Sequence, residues 1–252
     1  MNPILNEWRV FKHAIVFFTQ IPLSKSFQYS ESYAKKAIKY LPLIGSIVGI
    51  FVATIIFLCN MIFPIEISVF FSILASILAT GAIHEDGFAD FCDSLGGMTV
   101  EKKLSIMKDS NIGAFGVIGL VSILLGKYLF LIHIPSSQIP VVLISGHIIS
   151  RFSIMFIIIF LPYTGKKNLS KSITMVENKH LFNIFIGFIL TGIFYSLMPS
   201  YITFSIPIII ITIILICIYY KKSIKGYTGD YLGAAQQVTE VTHYLFFVYW
   251  LA

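Results

Sequence analysis

Four carboxylates fall within nine residues of this chain: Glu85, Asp86, Asp90 and Asp93. On a helix, Asp86, Asp90 and Asp93 sit at i, i+4 and i+7 and share one face. Like charges that close repel, so the arrangement calls for something positive among them. A magnesium ion holding a phosphate suits it, because Mg²⁺ is usually bound by one or two carboxylates plus substrate phosphate oxygens. The plainer reading is a solvated helix end with Asp86 as its cap. A cap uses one carboxylate, however, and nothing structural asks for four. His84 is a further candidate ligand. Gly87, Ala89, Gly96 and Gly97 keep the neighbourhood small enough for a ligand or a second helix to come close.

Three other groups of residues carry chemistry. Lys108-Asp109-Ser110-Asn111-Ile112-Gly113 leads into a long apolar run. A helix N-terminus offers unpaired N–H groups and a positive dipole end to a phosphate, which makes Asn111 and Gly113 substrate-binding candidates; the plainer reading is an ordinary cap. The stretch from Gly226 to Glu240 contains Thr228, Asp230, Gln237 and Glu240. The last three lie on one helical stripe at i, i+7 and i+10, and the plainer reading is a polar loop entering a final helix. Arg151 lies within an apolar run, with His147 one turn earlier. An ionisable group inside a membrane is a functional candidate by default, and a guanidinium fork suits phosphate or carboxylate. The plainer reading is an ion pair with an acidic residue elsewhere. Lys127, one run earlier, is expected to pair or snorkel.

These residues must be positioned by a membrane bundle. Of 252 residues, 57% are hydrophobic and 12% charged, against roughly 25% charged in soluble domains. Six apolar runs, at about 41–63, 67–83, 113–133, 139–161, 182–198 and 202–220, each approach the length that a bilayer core demands. Sixteen of the eighteen Lys and Arg residues fall in the N-terminal segment or in alternate loops. They are Arg9, Lys12, Lys25, Lys35, Lys36, Lys39, Lys102, Lys103, Lys108, Lys166, Lys167, Lys171, Lys179, Lys221, Lys222 and Lys225; Lys127 and Arg151 lie within runs. By the positive-inside rule this gives six spans and a cytoplasmic N-terminus. The acidic cluster and polar loops at 84–112, 163–180 and 221–240 then share the cytoplasmic face.

Trp8, Phe11, Ile15 and Phe18 recur at helical spacing, as in an interfacial amphipathic helix, and no cleavable leader is recognisable. The end, 241–252, reads as a short helix. The expected fold is all-α: a polytopic membrane helix bundle in one catalytic domain over 1–252. Cys59, Cys92 and Cys217 read as small apolar residues. The net charge of +6 is spread over loops of one membrane face, so lipid and not nucleic acid is the expected partner. A homo-oligomer is a partner the sequence leaves open.

The segment His84 to Gly97 resembles the acidic signature of the cobalamin synthase (adenosylcobinamide-GDP ribazoletransferase) family, with Ser94 where glycine is usual. Met107 to Gly116, Thr228-Gly229-Asp230-x-x-Gly233-Ala234 and Phe17 to Pro22 resemble further motifs of that family, in the same order. Gln20 departs from a common arginine. The resemblance implies an integral enzyme of the prokaryotic inner membrane that joins α-ribazole, or its 5′-phosphate, to adenosylcobinamide-GDP. GMP is released and Mg²⁺ is the expected metal. Within that chemistry Glu85, Asp86, Asp90 and Asp93 are the expected metal-binding residues. Lys108 and Arg151 would stabilise the leaving group, Asp93 or Asp109 would accept the hydroxyl proton, and Asn111, Gly113, Thr228, Asp230 and Gln237 would contact substrate. The alternatives are a CDP-alcohol phosphotransferase-like lipid enzyme, whose Asp-Gly is present at 86–87 without the Ala-Arg that follows in that pattern, and a small transporter.

Overall fold

The computed structural model describes residues 3–23, 29–165 and 181–251. Lys25, Lys166, Lys167, Lys171 and Lys179, which contribute to the charge pattern, lie outside the described residues, as does most of the loop at 163–180. The helices are α1 (Pro3–Phe18), α2 (Glu31–Lys36), α3 (Leu41–Asn60), α4 (Ile65–Thr80), α5 (Ile83–Ser94), α6 (Val100–Ile106), α7 (Ala114–Ile132), α8 (Ile139–Phe160), α9 (Leu181–Ser196), α10 (Ile206–Ile224) and α11 (Gly229–Trp250). Short 3-10 turns at Ala37–Tyr40 and Ser200–Ser205 precede α3 and α10. Among the described residues there is no strand, only an isolated bridge between Tyr163 and Tyr227. The chain is an all-α polytopic membrane bundle.

All six apolar runs are helical. Pro42, Pro140 and Pro207 stand in the first turns of α3, α8 and α10, where the missing N–H would have had no intrahelical partner. α8 is the central helix: 78% of its apolar window is buried, against 17% in α7 and 22% in α10. Most of the side chains left bare on α7 and α10 are apolar, among them Ile118, Val121, Leu125, Ile211 and Leu215. A lipid-facing surface accounts for them. At the N-terminus, Ile4, Leu5 and Trp8 of α1 are exposed, and Glu7 ties the helix down through Lys39 at 2.6 Å and the Tyr40 hydroxyl at 2.9 Å.

Two elements differ from the expectation of six simple spans. Among the described residues four helical segments are long and apolar enough to cross a membrane alone: Ser32–Asn60, Ala114–Ile132, Ile139–Phe160 and Ser200–Ile224. The second run instead ends at Thr80 and turns by 91° into α5. Gly81 and Ala82 make that turn, both in the left-handed region with φ of 66° and 58°. The fifth run, α9, has only 16 residues.

The C-terminal element is not short. α11 has 22 residues and takes in positions 229–240, which the hydropathy pattern had assigned to a loop. It runs antiparallel to α8. Just before its start, Tyr227 N–H donates to the Pro162 carbonyl beyond the end of α8. Towards its end His243 meets Ser145 near the start of α8, and Phe247 and Trp250 pack against Tyr201 and Phe204 of the second 3-10 turn. Gln236, Gln237, Thr239, Glu240 and His243 of this helix are buried, and it packs against α5, α7 and α8, so low hydropathy does not keep it out of the bundle.

If α11 traverses the bilayer, residues before and after it face opposite sides. With Cys59, Cys92 and Cys217 replaced by alanine, Lys225→Cys and Tyr249→Cys should react with a membrane-impermeant maleimide from opposite faces of oriented vesicles. Labelling of both from one face would contradict the topology.

Candidate functional site

The site is built where α5 crosses the first turns of α11. The crossing is close because Gly87 and Gly233 face each other: a Cβ on Gly87 would lie 3.0 Å from the Asp230 Cα and 3.4 Å from the Gly233 Cα. Any larger residue at 87 would have to push the helices apart. Asp86, Asp90 and Asp230 gather round this contact. Asp86 is exposed, whereas Asp90 and Asp230 are half-buried. Asp230, Asp86 and Asp93 all repel charge on Asp90, and Asp86 also repels charge on Asp230. Among the described residues no lysine or arginine pairs with Asp86, Asp90 or Asp230.

The other two carboxylates of the motif do different work. Asp93 accepts the Gly113 N–H at 2.7 Å on Oδ2 and the Gly116 N–H at 2.8 Å on Oδ1. Gly113 is the N-cap of α7, so Asp93 satisfies two orphan donors of that helix and complements its dipole. Glu85 points inward, 5% exposed, where its Oε1 accepts from Gln237 Nε2 at 2.9 Å. Asp86 and Glu85 part company because successive helical residues are turned by about 100° from one another.

The remaining candidates divide into two groups. Lys108, Asp109 and Asn111 are exposed on the loop before α7. Asp109 accepts from both the backbone N–H and the side chain of Asn111. Those donors hold its carboxyl below the usual range. Thr228 caps α11, its Oγ1 accepting from Tyr231 N–H at 3.3 Å and donating to Asp230 Oδ2 at 3.4 Å. Gln20 stands beside the α4–α5 turn: its N–H donates to the Ala79 carbonyl at 2.8 Å, and its amide lies where a Gly81 side chain would be.

Gln237 and Arg151 belong to a buried network that spacing alone did not reveal. Lys127 Nζ lies 2.8 Å from Glu240 Oε1 and 4.0 Å from Glu85 Oε1. Gln236 donates to Glu240 Oε2 at 2.6 Å, and Tyr244 donates to Oε1 at 3.1 Å. Arg151 donates to the His147 carbonyl at 2.9 Å, with Glu240 and Glu85 supplying the opposing charge. A small cavity beside this network is lined by Glu85, Lys127, His147, Glu240, Ser76 and Tyr244. The side chains of His84 and Glu85 each leave a buried polar atom, Nε2 and Oε2, without a partner. The signal in the sequence was the pair of cations within apolar runs.

Among the described residues no three Asp, Glu, His or Cys side chains stand ready to enclose a metal ion by themselves. The donor set still fits Mg²⁺. Asp86, Asp90 and Asp230 are hard oxygen ligands without a counter-ion, and Mg²⁺ takes most of its oxygens from water and phosphate instead of from an all-protein cage.

Removing the Asp93 cap isolates one part of this geometry. Asp93→Ala should lower the unfolding free energy of the detergent-solubilised protein by about 1–2 kcal/mol, read from its denaturant midpoint. An unchanged midpoint would mean that the α7 N-terminus does not depend on Asp93.

The family model described as cobalamin-5-phosphate synthase matches residues 10–248. Relatives named adenosylcobinamide-GDP ribazoletransferase include one from Shewanella frigidimarina, 36% identical over 96% of this chain and 94% of the relative. Another, from Leptospira interrogans, is 36% identical over 97% of both chains. A third, from Vibrio parahaemolyticus, is 34% identical over 95% of this chain and 91% of the relative. No solved structure matches the chain.

Proposed function

We infer the function from one premise: the chain belongs to the cobalamin-5-phosphate synthase family. It is a transferase of cobalamin assembly, built as a multi-pass membrane protein. Its reaction joins α-ribazole, or α-ribazole 5′-phosphate, to adenosylcobinamide-GDP in the last stage of nucleotide-loop assembly. The names of its relatives support that substrate pair. Family membership sets aside the lipid phosphotransferase and transporter readings. The site belongs to the cytoplasmic face of a prokaryotic cell membrane, a reading supported by the basic residues in the loops around it.

In this reaction a ring hydroxyl oxygen of the α-ribazole ribose, not the 5′ oxygen that carries phosphate in the alternative substrate, forms a bond to the phosphorus that carries cobinamide. The bond from that phosphorus to the bridging oxygen breaks, and GMP leaves with the bridging oxygen. The hydroxyl proton passes to a carboxylate and then to water. Both reactants are electron-rich, so the site must offset negative charge before they can meet. The observation that carries the reading is the convergence of Asp86, Asp90 and Asp230 without a cationic partner. These three would hold Mg²⁺, which when bound neutralises diphosphate charge and polarises the phosphoryl oxygens.

The sequence alone put Glu85 and Asp93 with the metal-binding residues and Asp230 with the substrate contacts. The hydrogen bonds favour a different division. Asp93 orients the α7 N-terminus towards the phosphates, Glu85 anchors α5, and Asp230 joins Asp86 and Asp90. Asp109 is a weak base because Asn111 donates to its ionised form. Lys108, exposed beside the same helix N-terminus, offsets charge on the departing GMP. Asn111, Gly113 and Thr228 lie on the loops that border the diphosphate. Gln237 and Arg151 act from the buried network.

Asp90→Asn tests the reading directly. The variant should insert into the membrane normally and lose GMP release from adenosylcobinamide-GDP and α-ribazole by at least about a hundredfold, the size expected for removing a principal electrostatic contributor. Chelation of divalent metal should abolish the wild-type reaction, and added Mg²⁺ should restore it. Near-normal turnover in Asp90→Asn, or activity that survives chelation, would refute the carboxylate–metal reading.

A further inference from the structure

We propose that Lys127 is a positioning residue, the buried cation that clamps α5 to α11 and so fixes the spacing of Asp86, Asp90 and Asp230. The proposal rests on the reading that those three carboxylates hold the metal. Lys127 comes from α7, belongs to none of the acidic or phosphate-binding motifs, and is 3% exposed. Its ammonium reaches Glu240 of α11 at 2.8 Å and Glu85 of α5 at 4.0 Å. A second tie runs in parallel, from Gln237 Nε2 of α11 to the same Glu85 oxygen at 2.9 Å.

Electrostatics gives this clamp a task. On the outer side of the α5–α11 crossing, like charges on Asp86, Asp90 and Asp230 push the helices apart. On the inner side, Glu85 and Glu240 would do the same if left alone. Lys127 converts that second repulsion into a bridge, and Arg151 balances the remaining charge: two carboxylates stand against one ammonium and one guanidinium. Glu85 adjoins Asp86 in sequence, and Glu240 lies about 15 Å along the helix from Asp230, at 1.5 Å per residue. A shift at the bridge is therefore passed to the carboxylates through rigid helix. A buried ion pair is seldom a net source of stability over apolar packing of the same volume. That argues for a geometric task over simple glue.

The test is binding of Mn²⁺, standing in for Mg²⁺, to the purified full chain with guanosine diphosphate present, followed by electron paramagnetic resonance without turnover. Lys127→Met should weaken Mn²⁺ binding at least tenfold, and Lys127→Arg, which keeps the cation, should stay within threefold of wild type. A folded Lys127→Met protein with wild-type affinity would overturn the proposal. If Lys127→Met fails to fold, the double variant Lys127→Met with Glu240→Gln takes its place. It leaves Glu85 and Arg151 balanced, and the same tenfold loss is expected; wild-type affinity would again overturn the proposal. Should the wild type itself bind no Mn²⁺, the metal reading fails and the clamp is judged on GMP release. A tenfold lower kcat in the methionine variant, restored by arginine, then supports positioning, and an unchanged kcat overturns it.

Discussion

Everything in the candidate site depends on how closely two helices can approach. α5 and α11 touch through Gly87 and Gly233, with too little room for a side chain at 87. That contact brings Asp86 and Asp90 from one helix to Asp230 from the other, across a gap that like charges oppose. The short polar helix α5 exists in this orientation because α4 stops at Thr80 and the chain swings through the left-handed pair Gly81 and Ala82. A straight continuation of α4 would have carried the aspartates along the span, away from the start of α11.

The bilayer shapes the rest. Lipid takes the apolar faces of α4, α7 and α10, and the polar interior that remains must be satisfied by protein alone. Glu240, Lys127, His147, Arg151 and the two glutamines do most of this with hydrogen bonds and opposed charges on α7, α8 and α11, although Arg151 Nε and Gln237 Oε1 stay without a partner among the described residues. One end of that network is Glu85, a member of the acidic motif itself. The motif thus joins two environments, with Asp86 turned to the open side and Glu85 to the bundle. The two are neighbours in sequence.

The sequence announced the acidic cluster and the polar, glycine-containing start of α7 because both are local: spacing within a few residues carries them. It also carried the apolar helices, whose length and composition are properties of the segment. It could not divide labour among Glu85, Asp86, Asp90 and Asp93. A helical face says which residues travel together, whereas a role depends on what stands opposite, and the opposing groups come from Gly113, Gly116, Asp230 and Gln237. α11 escaped for a related reason. Averaged hydropathy reads Gln236, Gln237 and Glu240 as a loop, although each finds a partner inside the bundle. Arg151 stood out as an ion in an apolar run, but its company of His147, Glu240 and Lys127 is assembled from three helices.

The claim at the centre is spatial: one metal–diphosphate unit gripped between α5 and α11. A cryo-electron microscopy map of the protein in lipid nanodiscs, with Mn²⁺ and adenosylcobinamide-GDP, examines it most directly. The account predicts metal density bordered by the carboxylates of Asp86, Asp90 and Asp230, with the diphosphate against the α7 N-terminus. Metal and diphosphate seated together elsewhere, with those carboxylates facing bulk water, would contradict it.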